Sequence, residues 1–351
     1  MNYLTVYNKA QILKFTRKRV GETKVGECVQ LLNSSTVDDE LITSTAKFVL
    51  IGLPEDIGVR ANYGRAGAYT AWQPALINIL NLQSNTFFSG KELLILGTIN
   101  FDDLMSLANT VDTKTEEGIK ILRKFCTEID TRVTTVIKQV VKSGKIPIII
   151  GGGHNNSYGN IKGSAEGLMA AGKIKNASIN CINCDAHSDF RALEDRHSGN
   201  GFKYAYSEGY LKKYAMIGLH ENHNSHAVLE ILNKHAETIY YNTFEDIFIR
   251  EIFNFKSAVT QAIHFIDSDY TGIELDMDAI ENIPASSKTP SGISANQARQ
   301  YVTWCAQHSN AVYLHLTEAA PLLSSLTVND TTGKLIAYLV SDFIKAYLSK
   351  E

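Results

Sequence analysis

Ala177-Ser178-Ile179-Asn180-Cys181-Ile182-Asn183-Cys184-Asp185-Ala186-His187-Ser188-Asp189 carries a strand and the start of a site in thirteen residues. Its first eight residues form a short, largely apolar run, the pattern of a strand covered on both faces. The run then breaks into D-x-H-x-D. In an extended segment the side chains at i, i+2 and i+4 point to one side. Asp185, His187 and Asp189 therefore converge just past the carboxyl end of a strand, where open α/β sheets place their sites.

Runs of the same kind recur on either side, at 48–53, 93–96, 146–150, 215–219, 238–241, 272–275 and 311–316. Longer amphipathic segments lie between several of them. In 116–141 the apolar residues Ile119, Leu122, Cys126, Ile129, Val133, Val136 and Val140 recur at steps of three and four, which is helical spacing. Segments 294–307 and 333–348 look alike. Strand and helix in alternation predict an α/β fold of three layers, α/β/α, with a mostly parallel sheet of about eight strands. Residues 1–45 are more polar and less periodic, and are expected as an N-terminal extension packed on the main domain. Residues 46–351 are read as one catalytic domain, without internal repeat or linker.

Composition narrows the class. The chain has 351 residues, 44% of them hydrophobic and 20% charged, with a formal net charge of −3, as in an ordinary soluble globular protein. No Lys/Arg-rich run tracks phosphates, so no nucleic-acid partner is expected. No apolar stretch approaches the roughly 20 residues that span a bilayer, so no membrane partner is expected. Met1-Asn2-Tyr3-Leu4 lacks a basic region followed by an apolar core, and no signal peptide is read there. Five cysteines are too few and too odd in number for a disulfide framework, and a cytoplasmic location fits. Cys181 and Cys184 form a C-x-x-C with no second pair, and are read as packed core thiols.

Two further segments point to the same edge of the sheet. Asp276 and Asp278, in Leu275-Asp276-Met277-Asp278, follow the seventh run. Gly151-Gly152-Gly153-His154 ends the third, its glycines letting the backbone turn sharply. Two imidazoles and four carboxylates result: His154, Asp185, His187, Asp189, Asp276 and Asp278. Four carboxylates so close together repel one another unless cations neutralise them. Oxygen-rich ligands with some imidazole favour two Mn²⁺ over a thiolate-type zinc site, with Fe²⁺, Co²⁺ and Ni²⁺ as alternatives. Two ions share and acidify a water, so the chemistry expected is hydrolysis.

These residues resemble the arginase/agmatinase/formiminoglutamase family of ureohydrolases over about residues 46–345. Gly151-Gly152-Gly153-His154, Asp185-Ala186-His187-Ser188-Asp189 and Asp276-Met277-Asp278 look like the family's G-G-x-H, D-A-H-x-D and D-x-D motifs. The resemblance implies the arginase/deacetylase-like fold. It also implies that Asp185 and Asp276 bridge two ions, with His154 and Asp189 completing one site and His187 and Asp278 the other. Glu318, in Glu318-Ala319-Ala320-Pro321, resembles the glutamate of E-x-x-P, which bonds the amidine or guanidine of the substrate.

The match looks closest to formiminoglutamase. Asn62, Gly64, Arg65, Gly67 and Ala68 resemble its N-x-G-R-x-G-A loop. Asp189-Phe190-Arg191 and Ser198-Gly199-Asn200-Gly201-Phe202 resemble its D-x-R and S-G-T-P-F, with Asn200-Gly201 in place of Thr-Pro. Ser198-Gly199-Asn200 alone also resembles the arginase S-G-N, but Phe202 stands where arginases carry a catalytic histidine.

The implied reaction is N-formimino-L-glutamate plus water giving L-glutamate and formamide, on a small-molecule substrate, in a homo-oligomer. Catalytic roles are expected for Asp189 as proton relay, Glu318, and His197 as proton donor. Substrate contacts are expected from Arg191, Arg65, Asn200 and Glu318, with Arg60 less favoured, because arginine forks match carboxylates. Asn155 is read as orienting the ligands, and Tyr63, His220 and His223 as structural. A hydrolase of agmatine, guanidinobutyrate or arginine that releases urea is the near alternative. A non-catalytic metal-binding scaffold and a one-zinc deacetylase of the same fold are the distant ones.

Overall fold

A computed structural model of the chain describes residues 3–32, 37–267, 269–324 and 330–350; Met1 and Asn2, where no leader was read, lie outside it. Nine strands form one sheet: β1 (Leu4–Val6), β2 (Phe48–Gly52), β3 (Leu93–Ile99), β4 (Ile146–Ile150), β5 (Ile179–Cys184), β6 (Leu211–Leu219), β7 (Ile239–Thr243), β8 (Tyr270–Asp276) and β9 (Asn310–Thr317). Their order is β1-β3-β2-β4-β9-β8-β5-β6-β7. The eight strands from β2 to β9 pair in parallel and coincide with the eight apolar runs.

Each central strand is buried on both sides, and alternate residues enter opposite cores. Phe48 and Leu50 pack with the helices Trp72–Leu80, Ala295–His308 and Asp330–Leu348. Val49 and Ile51 pack with Glu116–Lys142 and Asn156–Ala170. That is the α/β/α layering expected from the runs. The same alternation settles the C-x-x-C. Cys184 lies in the first core and Cys181 in the second, so the two thiols sit on opposite faces of the sheet and share no site.

The helix ends follow local rules. Thr115 caps Glu116–Lys142 by accepting from the Gly118 N–H, and Ser294 with Gln297 forms a capping box at the start of Ala295–His308.

Among the nine strands of the described residues, β1 is the one the apolar runs do not announce. It runs antiparallel to β3, pairing Leu4 with Ile99 and Val6 with Gly97. Gly97 adopts φ +122°, and a Cβ there would fall 2.0 Å from the Thr5 carbonyl oxygen, so only glycine admits the pairing. Among residues 3–32, Ile12 and Val25 enter the first core. Among the described residues no helix is long and apolar enough to cross a membrane.

Candidate metal centre

β4, β9, β8 and β5 are consecutive in the middle of the sheet, and the chain leaving each of them supplies part of the site. After β4, Gly151 and Gly152 take φ +89° and +73° and turn the chain back. A Cβ on Gly152 would lie 2.4 Å from the Asn156 side-chain nitrogen. This turn seats His154 fully buried below the helix Asn156–Ala170. After β5 come Asp185, His187 and Asp189, the last in the left-handed region at φ +45°. The Asp185 carboxylate accepts from the His187 N–H at 2.7 Å and from Asn183 Nδ2 at 3.1 Å. After β8, Asp276 accepts from the Asp278 N–H at 2.8 Å. After β9, Glu318 stands at φ +62° with its N–H on the Gly152 carbonyl.

The result is two adjoining donor sets. His154, Asp185, Asp189 and Asp276 place one ligand atom each within 4.8 Å of one another, as do Asp185, His187 and Asp278. Asp185 is common to both; Asp276 belongs to the first. His154 Nδ1 lies 2.9 Å from Asp189, 3.1 Å from Asp276 and 3.2 Å from Asp185. His187 Nδ1 lies 3.4 Å from both Asp185 and Asp278.

The buried atoms His154 Nδ1 and Asp278 Oδ1 have no hydrogen-bond partner. Buried polar atoms are seldom left so, and both residues belong to the donor sets. Electrostatics agrees. Burial, then Asp278 and Asp185, raises the Asp276 carboxyl well above its usual range, and burial and Asp185 raise Asp189. Against burial, His154 and His187 hold the Asp185 carboxyl below its usual range, so it is Asp276 and Asp189 that resist ionising beside it without added positive charge. Oxygens and imidazoles in this ratio fit hard or borderline divalent cations.

Above the donor sets opens a cavity of about 530 Å³ whose wall includes His187, Asp189, Asp276, Asp278, Arg191 and Glu318. Glu318 bonds the His154 N–H at 2.9 Å and the Ser286 hydroxyl at 2.9 Å. Burial, with Asp278 nearby, pushes its carboxyl up to about 8. Arg191 donates to Asn62 at 2.8 Å and to Glu194 at 3.3 Å, and half its side chain is in solvent.

Three residues expected at the substrate or in proton transfer are not brought to this wall. His197 is buried, and its Nδ1 accepts from the Gly199 N–H. Burial, then Arg123, Arg191 and Arg196, holds its imidazole down at about 3, so it stays neutral and braces its loop. Asn200 spends its oxygen on Arg196 and the His197 N–H, and its nitrogen on the carbonyls of Ala192 and Asp195. Arg65 donates to the carbonyls of Ser286 and Ala285, tying one loop to another.

Of the less favoured positions, Arg60 is bound to Asn109, and Tyr63 is exposed on a neighbouring hollow. Asn155 donates to the buried Glu55 carboxylate. Phe202 is buried, stacked on Tyr214 and edge-on to His154, and does not line the cavity.

Glu274 and His315 escaped the sequence reading. Both are fully buried, directly paired in the register of β8 and β9, with His315 Nδ1 2.6 Å from the Glu274 carboxylate. Tyr313 donates to the other Glu274 oxygen at 2.8 Å. Glu274 lies 3.5 Å from His154 Nε2, behind the face that meets the donor set. A carboxylate behind a metal-ligating imidazole is the usual device for fixing its ring. The available signal was a charged residue inside a buried run, two positions before Asp276 and so on the same face of the strand.

The arginase family model matches residues 46–345. This chain belongs to the arginase family. It is 24% identical over 281 residues to the formimidoylglutamase of Streptococcus pyogenes, covering 78% of this chain and 77% of that one. Among solved structures it resembles the formimidoylglutamase of Bacillus subtilis, with a TM-score of 0.71, 19% identity and 95% of each chain covered. It also resembles the formiminoglutamase of Trypanosoma cruzi solved with Mn²⁺, with a TM-score of 0.70, 18% identity, and 94% and 100% covered. The proclavaminate amidino hydrolase of Streptomyces clavuligerus follows at 0.67, 16% identity, and 88% and 94% covered. At these identities the structural likeness speaks for the fold.

Proposed function

We propose that this family member is a hydrolase with two metal ions acting on the C–N bond of a linear amidine, and that its substrate is N-formimino-L-glutamate. The observation that carries the reading is the pair of donor sets sharing Asp185, with Glu318 facing the same cavity. The names of its relatives support the substrate, and Mn²⁺ in one of them supports the metal. His154, Asp185, Asp189 and Asp276 hold one ion, and Asp185, His187 and Asp278 the other. Bound there, two divalent cations supply charge neutralisation and an acidified water.

The chain's own groups do the rest. Glu318 holds the cationic nitrogen end of the amidine by charge-assisted hydrogen bonds. Asp189 takes a proton from the attacking water and delivers it to the departing nitrogen. Water adds to the formimino carbon, the bond to the glutamate nitrogen breaks, and formamide and glutamate leave. Arg191 forks a substrate carboxylate.

A second reading rests on one observation. Arg191 is the one arginine or lysine on the described cavity wall, and formiminoglutamate has two carboxylates. Guanidinobutyrate, with one, matches that count and would release urea. We place the catalytic unit at 46–351 with the preceding residues as its extension, in a cytoplasmic homo-oligomer.

The test is product detection after Mn²⁺ loading: formamide from formiminoglutamate, beside urea from arginine, agmatine and guanidinobutyrate. Formamide, lost in Asp276→Ala, supports the reading through to substrate. Urea from a guanidine overturns the substrate and keeps the metal chemistry. No turnover of any of them removes the activity.

A further inference from the structure

The two imidazoles of the site are braced in different ways. His154 is buried with the Glu274 carboxylate 3.5 Å behind its Nε2. Among the described residues no carboxylate lies behind His187. Its side chain keeps 29% of its exposure, and among the described residues no protein group bonds its Nε2. Its Nδ1 sits 3.4 Å from Asp185 and Asp278. Turning such a ring about its Cβ–Cγ bond swings Nδ1 off those carboxylates, and only these two long contacts at Nδ1 oppose the turn by charge.

A flat neighbour does resist it. The His223 ring lies on His187 at 4.9 Å between centroids and 9° between planes. His220 lies on His223 at 5.0 Å and 13°, and Phe244 closes the column on His220 at 4.5 Å and 28°. Rings at these distances are in stacking contact, which restricts tilt.

The column is in register with the ligand segment. The His220 N–H donates to the Ala186 carbonyl at 3.0 Å. Asn224 accepts from the Ser188 N–H at 3.0 Å and donates to the Ala186 carbonyl at 3.2 Å. The loop after β6 is thus stitched to the residues on both sides of His187.

We propose that the His223–His220–Phe244 column is a positioning device for His187, doing by stacking what Glu274 does for His154 by charge. Through it, His223 sets how firmly the His187/Asp278 half of the centre holds its cation. This rests on the reading that the donor sets bind two ions.

The experiment compares Mn²⁺ binding by calorimetry, and metal content after dialysis, in the wild-type chain, His223→Ala and His223→Phe. Wild type takes up two ions per chain. His223→Ala weakens one of them about 10–100-fold, the range seen when a ligand loses its supporting partner, and leaves the other unchanged. Its paramagnetic resonance at limiting Mn²⁺ shifts from a coupled pair toward isolated ions. His223→Phe keeps a flat ring without nitrogens and restores both affinities and the coupled signal. Wild-type affinity for both ions in His223→Ala overturns the proposal, as does a His223→Phe as weak as the alanine variant. A wild-type chain that takes up no ion overturns the metal reading itself, so the two failures are told apart.

Discussion

Replacing Glu274 by Gln removes one buried charge and almost no volume. In the native chain one oxygen of Glu274 accepts from Tyr313 at 2.8 Å, the other meets His315 Nδ1 at 2.6 Å, and His154 Nε2 stands 3.5 Å off. Burial alone would raise this carboxyl, but His315 and His154 outweigh it and hold it at about 2, so it is ionised at neutral pH. A glutamine keeps the Tyr313 bond on its carbonyl and turns its amide nitrogen to His315 Nδ1. His315 then carries its proton on Nε2, 3.2 Å from the Gly151 carbonyl that accepts it.

The network around His315 thus stays satisfied, and the fold loses on the order of 1 kcal/mol. His154 fares differently, because its Nε2 now faces an amide donor. Loss of such a partner costs about 10–100-fold in metal affinity, or about 1.4–2.7 kcal/mol. Two measurements separate the terms: thermal unfolding of the metal-free chain, and Mn²⁺ titration by calorimetry. We expect a nearly unchanged melting temperature with a 10–100-fold weaker Mn²⁺ affinity. Unchanged affinity would refute the argument that Glu274 aims His154. Glu274→Ala is the wrong probe, since it strands His315 and Tyr313 in the core and confounds binding with unfolding.

Three further outcomes are expected. Arg191→Ala raises KM for a carboxylate-bearing substrate about 10–100-fold, the loss of a charge-assisted bond worth about 1.5–3 kcal/mol, while metal content by mass spectrometry stays at the wild-type value; unchanged KM removes Arg191 from the substrate. His197 titrates near 3 when folded and near about 6.5 when unfolded, so below 6.5 the unfolded chain takes up the proton first. Its stabilisation is complete above about 6.5 and is lost as pH falls toward 3. His197→Asn, which still accepts from the Gly199 N–H, should therefore flatten the fall in melting temperature between pH 6.5 and 4, and an unaltered slope contradicts this. Asp130→Ala strips the buried Arg196 of its two-pronged partner at 2.7 and 3.1 Å, at a cost of about 3–5 kcal/mol readable as a shifted denaturation midpoint.

The eight parallel strands were legible because a strand buried on both faces must be apolar at nearly every position, and such runs stand out beside amphipathic helices. β1 was not, because a three-residue edge strand inside a polar segment has no periodicity to read; its pairing with Gly97 is decided in space. The gathering of the six carboxylates and imidazoles was legible because such residues two apart at a strand end, as at 185/187/189 and 276/278, with a histidine after a glycine turn, have few other uses. Strand order was not readable, and it is the adjacency of β8 and β9 that joins Glu274 to His315. Arg65, Asn200 and His197 show the converse limit. Closeness in sequence to Asp189, or to a resembling motif, does not say whether a side chain turns toward the cavity. In this loop the backbone carbonyls of Ala192 and Asp195 and the buried Arg196 claimed Asn200 first.

β1 also has a consequence for handling the protein. A sheet of parallel strands ends in a row of unpaired backbone groups at each margin, and such a row is a template for another chain. At the β3 margin, Leu4–Val6 fills that row, and three residues are too few to recruit a further strand. Trimming the first seven residues, or displacing them with a fused tag, would lay bare the Gly97–Ile99 edge of a strand whose seven residues are all buried. Preparations lacking that segment should precipitate or form ordered aggregates while keeping the remaining fold.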